Sequence, residues 1–247
     1  MNSFINDIDI GFSKLDYAQL PSDLLLSNRK DLKYIINQES IPAIFQKLKG
    51  AYQILEKQGK SFSTYKTNYY DTEEFLFYLD HHNGKLNRKK VRTRTYEDGT
   101  SFLEIKRKDN KGFTCKERKE INISTFSIEN YNSFLDEVGG LQLPLVEKLK
   151  VFFDRVTLYD KNMSEKITFD FSYRVNFNER HFKFDKIVIV ESKGLYHNRS
   201  FFNLIMNEMK IPRVSFSKYC FGLFSIDSSL KKNNFMPLLK KVKKILE

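Results

Sequence analysis

The chain has 247 residues, of which 40% are hydrophobic and 30% charged, and its 23 Phe and 13 Tyr can supply the core of one large domain. Its two cysteines are far apart in sequence, and neither a CxxC motif nor clustered histidines are present, which argues against a disulfide framework and a structural zinc site. No apolar run approaches the roughly 20 residues of a membrane helix, and the N-terminus lacks a signal-peptide pattern, so we expect a cytoplasmic protein.

The patterns along the chain predict one mixed domain with short extensions. Residues 1–28 are expected to form an arm with a short helix, residues 29–226 the main domain, and residues 227–247 a lysine-rich helix of the same domain. Alternating apolar residues predict strands at 31–37, 62–70, 89–96, 101–108, 113–121, 151–160, 164–175 and 182–193. Helical spacing predicts helices at 41–57, 124–138, 198–210 and 217–224.

Positive charge is concentrated in one stretch. The formal net charge is +11, and residues 85–119, with 13 Lys/Arg against 5 Asp/Glu, supply +8 of it (13 − 5). The cations recur on alternate positions, so they lie on one face of the predicted strands. Because like charges on one face repel one another, we expect a polyanion to bind there.

The turn at residues 97–99 decides which of these cations share a face. A three-residue loop with Gly99 in the left-handed conformation pairs residues whose numbers sum to 196, which places Arg92 opposite Glu104 and Lys90 opposite Lys106. A two-residue loop would put Arg92 and Lys106 on opposite faces. We favour the three-residue loop.

A second predicted hairpin turns at Lys161 and Asn162. A two-residue loop there gives a sum of 323, so Arg155 shares a charged face with Lys166 and Asp170, and the other face is apolar. A solvated charged face is the simpler interpretation. The amphipathic helices, however, must also bury their apolar sides. We therefore predict an α+β fold, an antiparallel β-barrel tunnel with the helices packed on the outside and the charged face inside.

Seven short motifs occur in order along the chain and resemble those of the VTC domain, the polyphosphate polymerase domain of the vacuolar transporter chaperone complex, within the CYTH-like triphosphate tunnel superfamily. The resemblance covers residues 29–224. The motifs are Asp31-Leu32-Lys33-Tyr34, Arg92-Thr93-Arg94, Leu103-Glu104-Ile105-Lys106, Lys116-Glu117-Arg118, Phe153-Asp154-Arg155, Val190-Glu191-Ser192-Lys193 and Phe216-Ser217-Lys218-Tyr219.

The resemblance implies a tunnel that binds ATP through its phosphates and adds the terminal phosphoryl group to inorganic polyphosphate, with pyrophosphate as a related ligand and Mn²⁺ or Mg²⁺ as cofactor. Glu191 matches the metal-binding glutamate. Together with it, the residues expected to serve catalysis are Lys33, Arg92, Arg94, Lys106 and Lys218. The remaining residues expected to bind phosphate are Lys116, Arg118, Arg155, Lys166, Lys193 and Ser217. One carboxylate is enough for Mg²⁺, which completes its shell with water and phosphate oxygens.

Departures from the family pattern leave alternatives open. The first strand has Arg29 where the related hydrolases carry a glutamate, which favours the polymerase, and Lys166 stands where an arginine is expected. An inorganic triphosphatase or nucleoside triphosphatase, or a polyphosphate-binding module without activity, remain alternatives. Nucleic acid is not expected, since no recognised binding motif is present. The SPX and transmembrane domains of eukaryotic members are not in this sequence, so a membrane partner would be a separate protein.

Overall fold

The computed structural model of the protein describes residues 11–20, 30–111, 114–194 and 200–246. Most of the predicted arm, and parts of the predicted strand at 113–121 and helix at 198–210, lie outside these residues. The described part of the arm forms a strand, β1 (Ser13–Asp16), and a 3-10 turn at Tyr17–Gln19 rather than an α-helix.

The other strands form one antiparallel sheet. They are β2 (Lys30–Asn37), β3 (Tyr52–Glu56), β4 (Phe62–Asp71), β5 (Arg88–Tyr96), β6 (Ser101–Lys108), β7 (Thr114–Ile121), β8 (Val146–Asp160), β9 (Glu165–Phe177), β10 (Arg180–Phe184) and β11 (Ile187–Gly194). The main order is β2-β11-β9-β8-β4-β5-β6-β7, while β10 pairs with β9, β3 pairs with β8, and β1 joins β3 in parallel. Within the described residues, β2 and β7 form no ladder with each other, so hydrogen bonds do not close the sheet into a ring.

Among the described residues, three α-helices lie between strands, and three follow the last strand. They are α1 (Ile41–Leu48), α2 (Leu76–His82), α3 (Asn132–Gly139), α4 (Phe201–Glu208), α5 (Lys218–Ile226) and α6 (Met236–Leu246), with 3-10 turns at Gln38–Ser40, Ile128–Tyr131 and Asn233–Phe235. The antiparallel α+β class is therefore confirmed. No helix in the described part of the chain has the length and apolar character needed to cross a bilayer.

The register of the first hairpin is as predicted. Arg92 lies opposite Glu104 and Lys90 opposite Lys106, and Gly99 has a φ of 85°. In the second hairpin the predicted register is wrong, because the loop at 161–164 has four residues instead of two. Arg155 consequently pairs with Asp170, and Tyr159 with Lys166, so the numbers sum to 325. A shift of two residues keeps the paired residues 154–159 and 166–171 on their predicted faces, and the register changes again at a bulge between Phe152 and Asp154.

Three predicted elements were too long. The helix expected at 41–57 ends at Leu48, because Gly50 adopts a φ of 86° and the following residues form β3. The strand expected at 182–193 is two strands, β10 and β11. The helix expected at 124–138 begins as a 3-10 turn at Ile128–Tyr131 and becomes α-helical only at α3.

Two helices cover the outer face of the sheet as predicted. The apolar stripe of α1, with Ile41, Ile44 and Leu48, packs in one core with Phe169 and with Phe202 of α4. This burial of apolar surface holds both helices against the outer side of β9 and β11. The edge-to-face contact between Phe169 and Phe202 adds stabilisation beyond the area that the two rings bury.

Helix α5 does not follow the prediction that helices lie outside. Tyr69 pairs across the strands with Arg92 and therefore points to the charged face, yet its ring stacks on Tyr219 of α5 at 5.2 Å. Gly222 allows close approach, since a Cβ there would lie 2.6 Å from Leu149 Cδ2. The helix thus fills one end of the charged face.

Candidate functional site

The predicted cations lie on one face of the sheet, which we call the basic face and define by Lys33, Arg92, Lys106, Arg155 and Glu191. Directly paired residues share a face, and the described ladders link these positions strand by strand. The face is continuous from β2 through β7. Its cations are held in place by three acidic side chains.

Glu104 is the first of these acids. It is 1% exposed; Arg92 Nε donates to Glu104 Oε2 at 2.7 Å, and Lys116 forms a second ion pair with Glu104. Burial alone would raise the pKa of Glu104, but Arg92, Arg94 and Lys116 outweigh it and lower the pKa to about 2. Glu104 is therefore ionised and neutralises part of the cluster.

Asp170 is the second acid and is also 1% exposed. The guanidinium of Arg155 donates to both carboxylate oxygens of Asp170, at 2.6 and 2.8 Å, and Lys218 of α5 forms a further ion pair with it. Burial opposes ionisation, but Arg155 and then Lys218 hold the pKa of Asp170 below its usual value. This bidentate pair joins β8, β9 and α5 around one buried charge.

Glu191 is the third acid and is held more loosely. Its oxygens lie 3.8 Å from Lys33 Nζ and 3.5 Å from Lys193 Nζ, longer than direct hydrogen bonds. Burial opposes ionisation, yet Lys193 and Lys33 lower the pKa of Glu191 well below its usual value. Arg155 pairs with Asp170 and not with Glu191. Glu191 is thus a charged carboxylate whose two ion pairs among the described residues are both longer than a direct hydrogen bond.

The two ends of the basic face approach each other across the segment before α5. Lys33 Nζ on β2 donates to Phe216 O at 3.2 Å, and Lys90 Nζ on β5 donates to Ser217 Oγ at 3.0 Å. Burial and, second to it, the positive charge of Lys33 lower the pKa of Lys106 of β6 to about 8. The sheet therefore curls until β2 and β6 share one space.

Crowding affects two more lysines of this space. Burial, with Lys33, Lys106 and Arg92 as neighbours, lowers the pKa of Lys90 to about 7. Burial, together with Arg155, lowers the pKa of Lys218 to about 8 even though Asp170 opposes the shift. The site thus holds lysines that are more easily deprotonated than usual, because burial and neighbouring cations both disfavour their charged form.

Arg94 is a buried cation of the site. It is 8% exposed, and its Nε is buried without a hydrogen-bond partner among the described residues. Its guanidinium lies 5.3 Å from the ring centroid of Tyr65, and Arg155 lies 5.2 Å from the same ring. One aromatic ring therefore supports two guanidinium groups that point to the same space.

The remaining predicted residues lie at the margins of the basic face. Arg118 is exposed and its guanidinium is 4.6 Å from the ring of Phe102. Lys166 pairs with Lys193 in the ladder and lies 5.2 Å from the ring centroid of Tyr159. Ser217 is the N-cap of α5, where Cys220 N donates to its Oγ at 3.4 Å, so it serves a structural role in addition to contacting Lys90.

Three residues of the site were not predicted as functional: Lys90, Glu104 and Asp170. The signal was present, because the loop-length argument placed Lys90 and Glu104 on the face of Arg92, and Asp170 on the face of Arg155. Sequence parity gives a face but no distances, so it could not show that these acids bind the cations.

The donor set can accept one metal ion through Glu191. Among the described residues, no group of three or more His, Cys, Asp or Glu side chains comes together. Glu104 and Asp170 are engaged by cations, whereas Glu191 has no cation closer than 3.5 Å. A single loosely paired carboxylate suits Mg²⁺ or Mn²⁺ bound mainly through substrate phosphates, and it does not suit an ion held by protein ligands alone.

Comparison with known proteins gives a family match and remote structural likenesses. The VTC domain family matches residues 28–226. An adenylyl cyclase candidate from Hippeastrum, described with a dominant triphosphatase activity, is similar at 12% identity and a TM-score of 0.49, over 79% of this chain and 96% of that chain. An inorganic triphosphatase is similar at 11% identity and a TM-score of 0.34, over 79% of this chain and 94% of that chain. No curated protein sequence matches the chain.

Proposed function

Because the chain belongs to the VTC domain family, we propose that it is a metal-dependent polyphosphate polymerase, which transfers the terminal phosphoryl group of ATP to a growing polyphosphate chain. The observation that carries the proposal is that Lys33 of β2 and Lys90 of β5 bind two adjacent residues, Phe216 and Ser217, which brings cations from distant strands of the sheet around one space. An enclosed ring of cations suits a linear chain of phosphates better than an open patch would.

The transfer itself needs little covalent chemistry from the protein. The bond between the γ-phosphorus and the bridging oxygen of ATP breaks, and ADP leaves with the electron pair. A new bond forms to a terminal oxygen of the acceptor chain. The negative charge on the oxygens around the transferred group is what the enzyme must stabilise, and positioned cations do so without rearranging.

The cations divide this work by their chemistry. The guanidinium groups of Arg92, Arg94 and Arg155 can each contact two oxygens of one phosphate, which fixes orientation. Lys33, Lys106 and Lys218 act as point charges. The acids Glu104 and Asp170 hold Arg92 and Arg155 in position before substrate arrives, so the charges are oriented in advance.

Glu191 is the residue proposed to hold Mn²⁺ or Mg²⁺, which would polarise phosphate oxygens and neutralise part of their charge when bound. Its own contribution is an ionised carboxylate at one side of the cation ring. The Lys33 and Lys193 ammonium groups, at 3.8 and 3.5 Å, keep that carboxylate deprotonated.

The test is incubation with γ-labelled ATP and Mn²⁺ or Mg²⁺, with the products resolved on a gel. A ladder of polyphosphates supports the polymerase. Free phosphate alone would instead indicate a triphosphatase, and pyrophosphate binding without turnover would indicate a binding module.

The matched variants are Glu191→Gln and, as control, Glu208→Gln, whose carboxylate is exposed and pairs with Lys47. We expect Glu191→Gln to lower turnover roughly a thousandfold, because the charge stabilisation supplied by a metal ion amounts to several kcal/mol. Glu208→Gln should leave turnover unchanged. Retained activity in a folded Glu191→Gln protein would refute the metal assignment.

A further inference from the structure

The basic face changes character along its strands. On β5, Arg92 and Arg94 are followed two residues later by Tyr96, and alternate residues of a strand share a face. On β6, Phe102 lies directly opposite Arg94 and therefore belongs to the same face. Towards the turn at residues 97–99, the face thus passes from cationic to aromatic side chains. No role was predicted for Tyr96 or Phe102, and the proposed phosphoryl transfer does not use them.

Three rings form a continuous row at this end of the face, which we call the aromatic strip and define by Tyr65, Tyr96 and Phe102. The ring centroids of Tyr65 and Tyr96 are 5.3 Å apart, and those of Tyr96 and Phe102 are 6.0 Å apart. Both contacts are edge-to-face, a geometry in which aromatic rings orient one another. The guanidinium of Arg118 lies 4.6 Å from the ring centroid of Phe102 and adds a planar group to the strip.

The aromatic strip is accessible, whereas the opposite end of the basic face is covered. All three rings are partly exposed, and Arg118 and residues 97–99 of the turn are exposed. At the other end, Tyr69 lies opposite Arg92, is 5% exposed and stacks on Tyr219 of α5. A ligand whose phosphates contact Arg92 can consequently extend over the aromatic strip but not into α5.

The order of groups along the face matches the order of groups in a nucleoside triphosphate. Such a molecule carries a charged triphosphate at one end and a planar base at the other, joined by a ribose. Because Tyr96 lies two residues beyond Arg94 on β5, the aromatic strip begins about 6.8 Å past the cations, which leaves room for a ribose. Aromatic rings and guanidinium planes are the groups on which proteins stack nucleobases.

We propose that the aromatic strip, together with Arg118, binds the base of the nucleoside triphosphate whose phosphates lie on the basic face. The inference rests on the proposed function for the nucleotide and adds a base-binding region to it. Stacking tolerates any base, because every base has a π-face, but it distinguishes a nucleotide from a chain of phosphates. The aromatic strip should therefore raise the affinity for nucleotides and leave the affinity for inorganic tripolyphosphate unchanged.

The test measures by calorimetry the binding of two ligands, the β,γ-imido analogue of ATP and inorganic tripolyphosphate. Phe102→Leu removes a ring of the strip and keeps an apolar side chain, whereas Phe102→Tyr keeps the ring. The control Phe201→Leu removes an exposed ring from α4. We expect Phe102→Leu to bind the ATP analogue about tenfold more weakly, as the loss of one stacking contact would give. Its affinity for tripolyphosphate, and both affinities of Phe102→Tyr and Phe201→Leu, should stay within about twofold of wild type.

Thermal unfolding shows whether each variant folds, and Tyr96→Leu provides a second test of the strip if Phe102→Leu does not fold. An unchanged affinity of the folded variant for the ATP analogue would overturn the proposal. An equal loss of affinity for tripolyphosphate would also overturn it, because Phe102 would then act through the phosphates or the fold, and so would an equal loss in Phe201→Leu.

None of these measurements needs turnover, so the base site and the polymerase can fail separately. A protein that makes no polyphosphate ladder but binds the ATP analogue in a manner that depends on Phe102 would defeat the polymerase alone. A ladder combined with equal binding of the ATP analogue by wild type and Phe102→Leu would defeat the base site alone.

Discussion

Replacing Asp170 by Asn should lower the stability of the ligand-free protein and increase the stabilisation that a bound anion provides. The substitution removes the charge that holds Arg155, through hydrogen bonds of 2.6 and 2.8 Å, and Lys218. Losing one member of a buried ion pair costs about 3–5 kcal/mol, because its partner charges remain without a counterion. Arg155 keeps 15% of its side chain exposed, so solvent relieves part of this cost and we expect the lower end, about 3 kcal/mol.

The assay is thermal unfolding with and without pyrophosphate. For a domain of this size, about 3 kcal/mol corresponds to a fall in Tm of roughly 6–12 °C. A bound anion replaces the missing charge, so pyrophosphate should raise the Tm of Asp170→Asn more than that of the wild type. The control is Asp154→Asn. Asp154 precedes Arg155 on β8 and accepts a hydrogen bond from Thr64 at 2.8 Å.

Two results would refute this reasoning. The first is a loss of stability no larger than that of Asp154→Asn, which would mean that Asp170 does not hold the cations. The second is equal stabilisation of variant and wild type by pyrophosphate, which would mean that the anion binds away from Arg155 and Lys218.

Two further predictions follow from the lysines and from α5. The pKa values of Lys90, Lys106 and Lys218 are about 7, 8 and 8, and a bound anion favours their protonated forms, so pyrophosphate binding at pH 8 should take up protons and weaken as the pH rises through this range. Calorimetry in two buffers of different ionisation enthalpy measures this proton uptake. Equal uptake by wild type and Lys106→Met would contradict the prediction. Gly222→Ala should lower Tm and weaken pyrophosphate binding together, because the new Cβ would lie 2.6 Å from Leu149 Cδ2 and push α5 away; an unchanged Tm would show that α5 packs less closely.

The sequence predicted most of the strands and their faces, because the alternation of side chains depends only on residues close together in the chain. The two-residue period places alternate side chains on opposite faces, and this rule survived even where the loop at 161–164 was longer than expected. The helix predicted at 41–57 was too long. The positive φ of Gly50 ends the helix, and the residues after it form β3 because they pair with β8. That pairing joins segments about a hundred residues apart, which no local pattern reveals.

By itself, the sequence determined which face of each strand carries charge and which family motifs it carries, since both depend on residue order along short segments. The tertiary structure alone decided which charges meet. It placed α5 against the basic face instead of outside, bound Arg155 to Asp170, and brought Lys33 and Lys90 to two adjacent residues before α5. These contacts depend on how far the sheet curls, and curvature results from the packing of the whole domain rather than from any one strand.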